Sequence, residues 1–203
     1  VRKIDLWERW RVTTFWRSTS DNMPLQPPAL HLSLIGFMGS GKSTLGRALA
    51  DRLGRPFVDT DAEVERTLGL SIREIFETQG EAVFREVEQD VLSDALRPDE
   101  PIVLATGGGT PCAYGAMEWM RRRSLVVALQ PPLDVLIERL KEGQAQRPLI
   151  HNKSGKELRV TVERMMLTRA ACYGSAHVVW KDVFEDSDAI DDALAGIRWR
   201  LEP

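Results

Sequence analysis

Cysteine, histidine and tyrosine are scarce in this chain of 203 residues, which has two Cys, three His and two Tyr. Cys112 and Cys172 are far apart in the sequence and form no C-x-x-C, and His31, His151 and His177 are scattered. Neither a disulfide framework nor a zinc site is expected, which fits a reducing cytoplasm. An excess of positive charge is missing as well. The formal net charge of −3 leaves no field to hold a polyanion, which argues against a general nucleic-acid surface. No apolar run approaches the roughly 18 residues that a spanning helix needs, and the N-terminus lacks the apolar core of a secretory signal. A cytoplasmic protein with no membrane or nucleic-acid partner is expected, and any anionic ligand must be caught by a few placed Arg and Lys.

What is present is one local pattern of high information. Gly36, Phe37, Met38, Gly39, Ser40, Gly41, Lys42, Ser43 and Thr44 lie between the apolar run Leu32–Ile35 and a helical pattern with Leu45, Ala48, Leu49 and Leu53 on one face. Strand, glycine-rich loop and helix are the context in which G-x-x-x-x-G-K-S/T binds phosphate. The glycines let backbone N–H groups close around phosphate oxygens, and the helix that follows points its positive end at them. Lys42 then reaches the β- and γ-phosphates and Ser43 ligates magnesium.

The rest of the chain alternates short β-rich runs with longer helical patterns. Strands are predicted at Leu32–Ile35, Pro56–Val58, Ile102–Ala105, Leu125–Leu129 and His177–Trp180. Helices are predicted at Ser43–Leu53, Asp61–Leu68, Ser71–Thr78, Glu81–Leu96, Tyr114–Arg121, Leu133–Lys141, Lys156–Cys172 and Ser187–Leu201. Five strands alternating with helices imply an α/β fold, a parallel sheet covered on both faces with right-handed crossovers. Ligands in such folds lie at the carboxyl ends of the strands, so the polar residues just after each strand are the candidates for chemistry.

Asp59, Thr60 and Asp61 follow one strand, and Asp59 is the best magnesium-side carboxylate. If the chain is still extended there, residues two apart point to the same side, so Asp59 and Asp61 face one cavity. One would be offset by the metal and the other meet a substrate hydroxyl; the bland alternative is that Asp61 caps the next helix. Gly107, Gly108 and Gly109 follow another strand with no side chains at all, so a ligand can approach the backbone. Arg85 and Glu88 lie one turn apart beside a stripe of Val83, Phe84, Val87 and Val91, where most such pairs are surface pairs of little worth. Arg169 interrupts a stripe of Val162, Met166 and Tyr173. Residues 141–155 form a polar loop that reads as a lid holding Arg147, and Arg139 just before it falls on the nucleotide edge.

Residues 1–28 stand apart. Trp7, Trp10, Phe15 and Trp16 alternate with Arg2, Lys3, Arg9, Arg11 and Arg17, and Pro24–Pro28 form a linker. An amphipathic arm is one reading. The favoured one is a poorly ordered upstream extension, since the chain begins with Val and Met23 stands just before the linker. The domain is then 29–203.

From Leu32 to Tyr173 the chain resembles the shikimate kinase family. The resemblance rests on Gly36–Ser43, Asp59 to Asp61, Phe84 to Glu88, Gly107–Gly109, and Arg147 with Pro148 and Leu149, in that order. It implies a P-loop NTPase fold of three layers with sheet order 2-3-1-4-5, and transfer of the γ-phosphoryl of ATP to the 3-hydroxyl of shikimate in aromatic amino-acid biosynthesis. It implies further that Arg85 and Arg169 hold the substrate carboxylate and that Glu88 supports Arg85. Asp61 would contact the ring hydroxyls and act as base. Asp59 and Ser43 would serve one Mg2+ per subunit, and Gly107, Gly108 and Gly109 would approach the substrate. Gly39, Ser40, Gly41, Lys42, Ser43, Thr44, Arg139 and Arg147 would hold ATP, with Lys42, Asp61 and Arg147 catalytic. Residues 61–90 would be the substrate-binding region, 141–155 the lid, and the enzyme a monomer. The chain departs from the family's Arg-x-Pro-Leu-Tyr, reading Arg169, Ala170, Ala171, Cys172, Tyr173. The residue-level rivals are a kinase for another small polyol acid such as gluconate, and a nucleotide-responsive regulator without chemistry. Lys42, Asp61 and Arg85, whose loss would signal the regulator, are all present.

Overall fold

A computed structural model of the chain describes residues 30–97, 99–142, 150, 153–184 and 186–201. Arg147, most of the lid segment 141–155 and the whole of 1–28 lie outside the described residues. The strands are β1 (His31–Gly36), β2 (Phe57–Asp59), β3 (Val103–Ala105), β4 (Ser124–Leu129) and β5 (Val178–Trp180). The helices are α1 (Lys42–Leu53), α2 (Thr60–Leu68), α3 (Ile72–Thr78), α4 (Gly80–Ala95), α5 (Ala116–Arg123), α6 (Leu133–Glu142), α7 (Gly155–Gly174) and α8 (Ser187–Leu201). Every predicted element is present, with ends shifted by a residue or two.

All four strand pairings are parallel, in the order β2-β3-β1-β4-β5. β1 is the middle strand and is buried along its whole length, as is β4. A strand covered on both faces reads as a continuous apolar run rather than an alternation, which is how Leu32–Ile35 reads. Period two still sorts its side chains. Leu32 and Leu34 pack with Leu45 and Leu49 of α1 and Leu194 and Ile197 of α8, whereas Ile35 joins Leu92, Met120, Leu136 and Val162 on the opposite face. These two clusters are the interfaces of a three-layer sandwich.

A third, smaller cluster holds α2, α3 and α4 together through Val64, Ile75, Phe84 and Val91. α4 ties this cluster to the sheet, because its Leu92 joins the core that holds Ile35. Ser71 opens α3 with a complete capping box, its N–H donated to Glu74 at 2.8 Å and its hydroxyl accepting the Glu74 N–H at 3.3 Å. Among the described residues no helix is long and apolar enough to cross a membrane.

Candidate active site

β1 delivers the chain at Gly36 into a loop that turns back at Gly41, whose φ of 95° lies in the left-handed region glycine favours, and α1 starts at the next residue. Lys42 is buried at that start. Its ammonium donates to the carbonyls of Gly36 at 3.0 Å and Phe37 at 2.9 Å, which holds it across the mouth of the loop. The Ser40 hydroxyl oxygen is buried with no hydrogen-bond partner among the described residues. A buried polar atom without a partner is costly unless a ligand supplies one. The loop opens on a cavity of about 520 Å3 lined by Gly39 to Leu45, Arg139, Leu129 and Phe184. Arg139 reaches it from α6, donating to Gly39 O at 3.3 Å.

The Ser43 hydroxyl donates to Asp59 Oδ2 at 2.6 Å, while Asp59 Oδ1 accepts the Asp61 N–H at 3.1 Å. Asp59 is therefore the residue that caps α2. This corrects two sequence expectations. The chain is not extended through Asp61, which lies in the first turn of α2, and the helix-capping role considered for Asp61 belongs to its neighbour. The carboxylates still come close, because a cap and the residue two positions into the helix share its N-terminus. Burial, with the Asp59 charge adding to it, pushes the Asp61 pKa up to about 6, Lys42 opposing. A hydroxyl and a carboxylate oxygen facing the loop form an oxygen-only pair. That suits Mg2+, which takes one or two protein oxygens and completes its shell with phosphates and water. Among the described residues no cluster of three or more metal-ligating side chains exists.

Opposite the loop, the three glycines after β3 form a floor whose lack of side chains has a specific use. A Cβ on Gly107 would lie 2.6 Å from both Asp61 Oδ1 and Glu88 Oε1. One on Gly108 would lie 3.3 Å from an Arg169 nitrogen, and one on Gly109 would lie 2.7 Å from an Arg85 nitrogen. Gly107 thus makes room for one side chain from α2 and one from α4, Gly108 for one from α7 and Gly109 for one from α4. None of the three has a positive φ, so close approach explains them rather than backbone conformation.

Glu88 is 2% exposed and Arg85, which it meets at 2.6 Å, is only 14% exposed, so the surface-pair reading of these two residues does not hold. Its second oxygen accepts the Thr110 hydroxyl at 2.5 Å. Glu81 accepts from the outer edge of Arg85 at 3.2 Å, which fixes the guanidinium plane with one nitrogen edge over Gly109. Arg169 donates to Gly108 O at 3.1 Å, and Tyr173 donates to the same carbonyl at 2.6 Å. Burial pushes the Tyr173 pKa up to about 12, so it acts as a neutral donor. The phosphate loop is continuous with this cage. Gly36 O and Met38 N lie 3.4 Å and 3.3 Å from the position a Cβ on Gly108 would take.

Sequence reasoning missed several of these residues. Thr60, fully buried, accepts the Gly107 N–H at 2.9 Å and so fixes the floor to α2; its only signal was its place between two named aspartates. Thr110 directly follows the triplet. Phe184 lines the nucleotide cavity from the stretch after β5, packed on Trp180 at 5.1 Å between ring centroids, and nothing in its neighbourhood announces it.

A phosphate-binding loop that shares one cleft with a carboxylate, two arginines and a bare backbone floor defines the class, a P-loop phosphotransferase acting on a small anionic acceptor. Comparison with known proteins narrows the class. The family model for shikimate kinase matches residues 38–194. Shikimate kinase of Bacteroides thetaiotaomicron is 36% identical over 174 residues, 85% of this chain and 99% of that protein. Its crystal structure superposes with a TM-score of 0.77 at 34% identity, covering 85% of this chain and 98% of that one. Shikimate kinase from Acinetobacter baumannii in complex with shikimate gives a TM-score of 0.74 at 32% identity, covering 85% and 93%. The chain belongs to the shikimate kinase family.

Proposed function

We propose that this protein transfers the γ-phosphoryl of ATP to the 3-hydroxyl of shikimate, with the acceptor seated over Gly107–Gly109. The observation that carries this reading is that the bare glycine floor makes room for polar side chains, Gly107 for Asp61 and Glu88, Gly108 for Arg169 and Gly109 for Arg85. Arg85 and Arg169 supply a planar cationic clamp for a carboxylate, and Asp61, at a fixed offset, meets ring hydroxyls. A rigid cyclic hydroxy-acid satisfies both ends at once, which favours shikimate over an open-chain acid such as gluconate. Presence of Lys42, Asp61 and Arg85 together favours an enzyme over a regulator that has lost its chemistry.

Phosphoryl transfer asks for positioning and charge stabilisation more than covalent help. Lys42 and Arg139 hold the phosphates, with Gly39 to Thr44 supplying backbone and hydroxyl donors. Asp61 orients the 3-hydroxyl and takes its proton as attack proceeds, a task suited to a carboxylate with a pKa of about 6. Glu88, held by Thr110, keeps Arg85 aimed. One Mg2+ held at Ser43 and Asp59 would neutralise charge on the phosphates. Arg147 adds positive charge to the transferring group from the 141–155 lid, and residues 61–90 serve as the substrate-binding region of a 29–203 kinase domain. The enzyme is a cytoplasmic monomer with no nucleic-acid or membrane partner. The test is a coupled assay of ADP release with shikimate, gluconate, quinate or buffer alone. Release dependent on shikimate supports the reading, and equal release with gluconate or with buffer overturns it.

A further inference from the structure

Arg85 carries two carboxylate partners of different kinds. Glu88 accepts from Nη1 at 2.6 Å, and one oxygen of Glu81 accepts from Nε at 3.3 Å and from Nη2 at 3.2 Å. Glu88 is buried and anchored a second time by Thr110. Glu81, in the first turn of α4, has a side chain 60% exposed and reaches Arg85 from the solvent side. Burial weighs against the Arg85 charge, and Glu88 and then Glu81 outweigh it, which raises its pKa above the ordinary value. One partner is fixed, and the other is free to swing away.

A guanidinium can lie fork to fork with a carboxylate along Nη1 and Nη2 or along Nε and Nη2. The first edge is turned onto the glycine floor. A Cβ on Gly109 would lie 2.7 Å from Nη2, 2.9 Å from Nη1 and 3.1 Å from Cζ, so both nitrogens are nearer to it than the carbon that joins them. Gly109 Cα stands one bond length behind that point, and no oxygen fits between the backbone and this edge. The second edge, Nε with Nη2, is the one that Glu81 covers.

We infer that Glu81 competes with the acceptor's carboxylate for the Nε and Nη2 edge of Arg85, and so sets how tightly and how selectively the site takes carboxylates. The inference rests on the proposed role of Arg85 in holding that carboxylate. Glu81 neutralises the edge until the acceptor arrives, and is then displaced into solvent. An exposed ion pair is weak, so an acceptor that is also held by Arg169 and Asp61 displaces it at small cost. A small monocarboxylate such as acetate offers the charge alone and has nothing further with which to outbid Glu81. Selectivity of this kind comes from a built-in competitor rather than from an added contact.

The test measures the full chain, Glu81→Ala and Glu81→Gln by ADP release, with acetate as the competing carboxylate. The shikimate KM should fall about two- to fivefold in Glu81→Ala, the worth of an exposed ion pair, with kcat and the ATP KM unmoved. It should fall less in Glu81→Gln, whose amide oxygen still accepts from Arg85. Acetate should compete with shikimate at severalfold lower concentration in Glu81→Ala than in the parent. A residue that merely aims Arg85 gives the opposite pattern, a KM raised in Glu81→Ala and restored in Glu81→Gln. That pattern, an unmoved KM, or an equal fall in both variants, which is a through-space charge effect, overturns the inference. So does a crystal structure of the parent with shikimate in which Glu81 still accepts from Nε of Arg85. Arg85→Ala, alone and combined with Glu81→Ala, separates the two failures. If Arg85→Ala leaves the shikimate KM unmoved, the assignment of Arg85 falls and the inference with it. If Arg85→Ala raises the KM and Glu81→Ala does not lower it, only the inference falls. In the Arg85→Ala background, adding Glu81→Ala should change nothing, and a further fall in KM there overturns action through Arg85.

Discussion

The two halves of the cleft are built from different materials. On the nucleotide side, the consecutive residues Gly39 to Leu45 make most of the cavity wall, with Leu129, Arg139 and Phe184 completing it, and the glycines leave backbone groups open to a ligand. On the acceptor side every group proposed to work is a side chain. Asp61 comes from α2, Arg85 and Glu88 from α4, and Arg169 and Tyr173 from α7, and they converge on a floor that follows β3. A backbone-built site tolerates change in most of its side chains and depends on a few glycines and one lysine. A side-chain-built site depends on every element that aims a side chain into it. The first kind can serve many reactions with the same phosphate donor, whereas the second determines which acceptor is used.

The largest expected effects come from the one residue on each side that the proposed mechanism brings to the reacting groups. Lys42→Ala should abolish phosphorylation by removing the charge on the phosphates, and ATP binding should fall with it. Asp61→Asn should also abolish turnover but leave ATP binding nearly intact, as titration with a fluorescent nucleotide would show. Stability separates the two variants further. The folded pKa of Asp61, about 6, lies above its ordinary 3.8, so the stability this group contributes is fully present below about pH 4 and is lost as pH rises through 6. Asp61→Asn removes that loss. Its melting temperature should exceed that of the parent at pH 8, and the difference should vanish near pH 4. In the parent, kcat/KM for shikimate should fall as pH drops through about 6. Near-parental turnover in Asp61→Asn would remove the base from the proposed mechanism.

The same contrast explains what could be read in the sequence. The phosphate loop was legible because its chemistry is local. Glycine spacing, the lysine and the flanking strand and helix all lie between His31 and Leu53. Element order was legible because β1 and β4 are buried on both faces and read as apolar runs between helical patterns. Strand order came from family resemblance, since pairing between β2 and β3 or β1 and β4 leaves no local mark. The acceptor side was legible only as isolated polar residues. Arg85 and Glu88 at one-turn spacing look like any surface pair until the fold buries Glu88 against Thr110. Alternation suggested that Asp59 and Asp61 share a face, yet they are brought together by a helix start.

A substitution in the glycine floor tests whether the acceptor side is as tightly determined as its geometry suggests. In Gly107→Ala the new methyl group would lie 2.6 Å from Asp61 Oδ1 and from Glu88 Oε1, and Glu88 is held on both sides and cannot yield easily. Turnover should fall by about a hundredfold. Nucleotide binding should be unchanged, because the phosphate loop makes no use of Gly107. A fall in ATP affinity of similar size would show that the two halves are one unit.

The arginines come next in magnitude. Arg85→Ala and Arg169→Ala each remove a charged hydrogen-bonding partner for a carboxylate, worth about 1.5–3 kcal/mol. The shikimate KM should rise about ten- to a hundredfold while that for ATP barely moves. Arg85→Lys should recover little, since a point charge cannot reproduce a fork clamped between Glu81 and Glu88. An unchanged shikimate KM in Arg169→Ala would mean that the altered stretch Ala170–Cys172 has moved the carboxylate site.

Tyr173→Phe should have the smallest effect, and its size tells how much redundancy the acceptor side holds. The phenol donates to Gly108 O at 2.6 Å, but the same carbonyl also accepts from Arg169 at 3.1 Å, so deleting the hydroxyl leaves no orphaned acceptor. The cost to stability is then that of one neutral hydrogen bond, about 0.5–1.5 kcal/mol, and the ring keeps its packing in the core beside Phe37 and Val162. Losing the second anchor leaves Arg169 freer to move, so the shikimate KM should rise only two- to fivefold with kcat nearly unchanged. If Tyr173→Phe instead raises the shikimate KM as far as Arg169→Ala does, the tyrosine is what holds Gly108 in place, and Arg169 acts on the substrate only while that carbonyl is fixed.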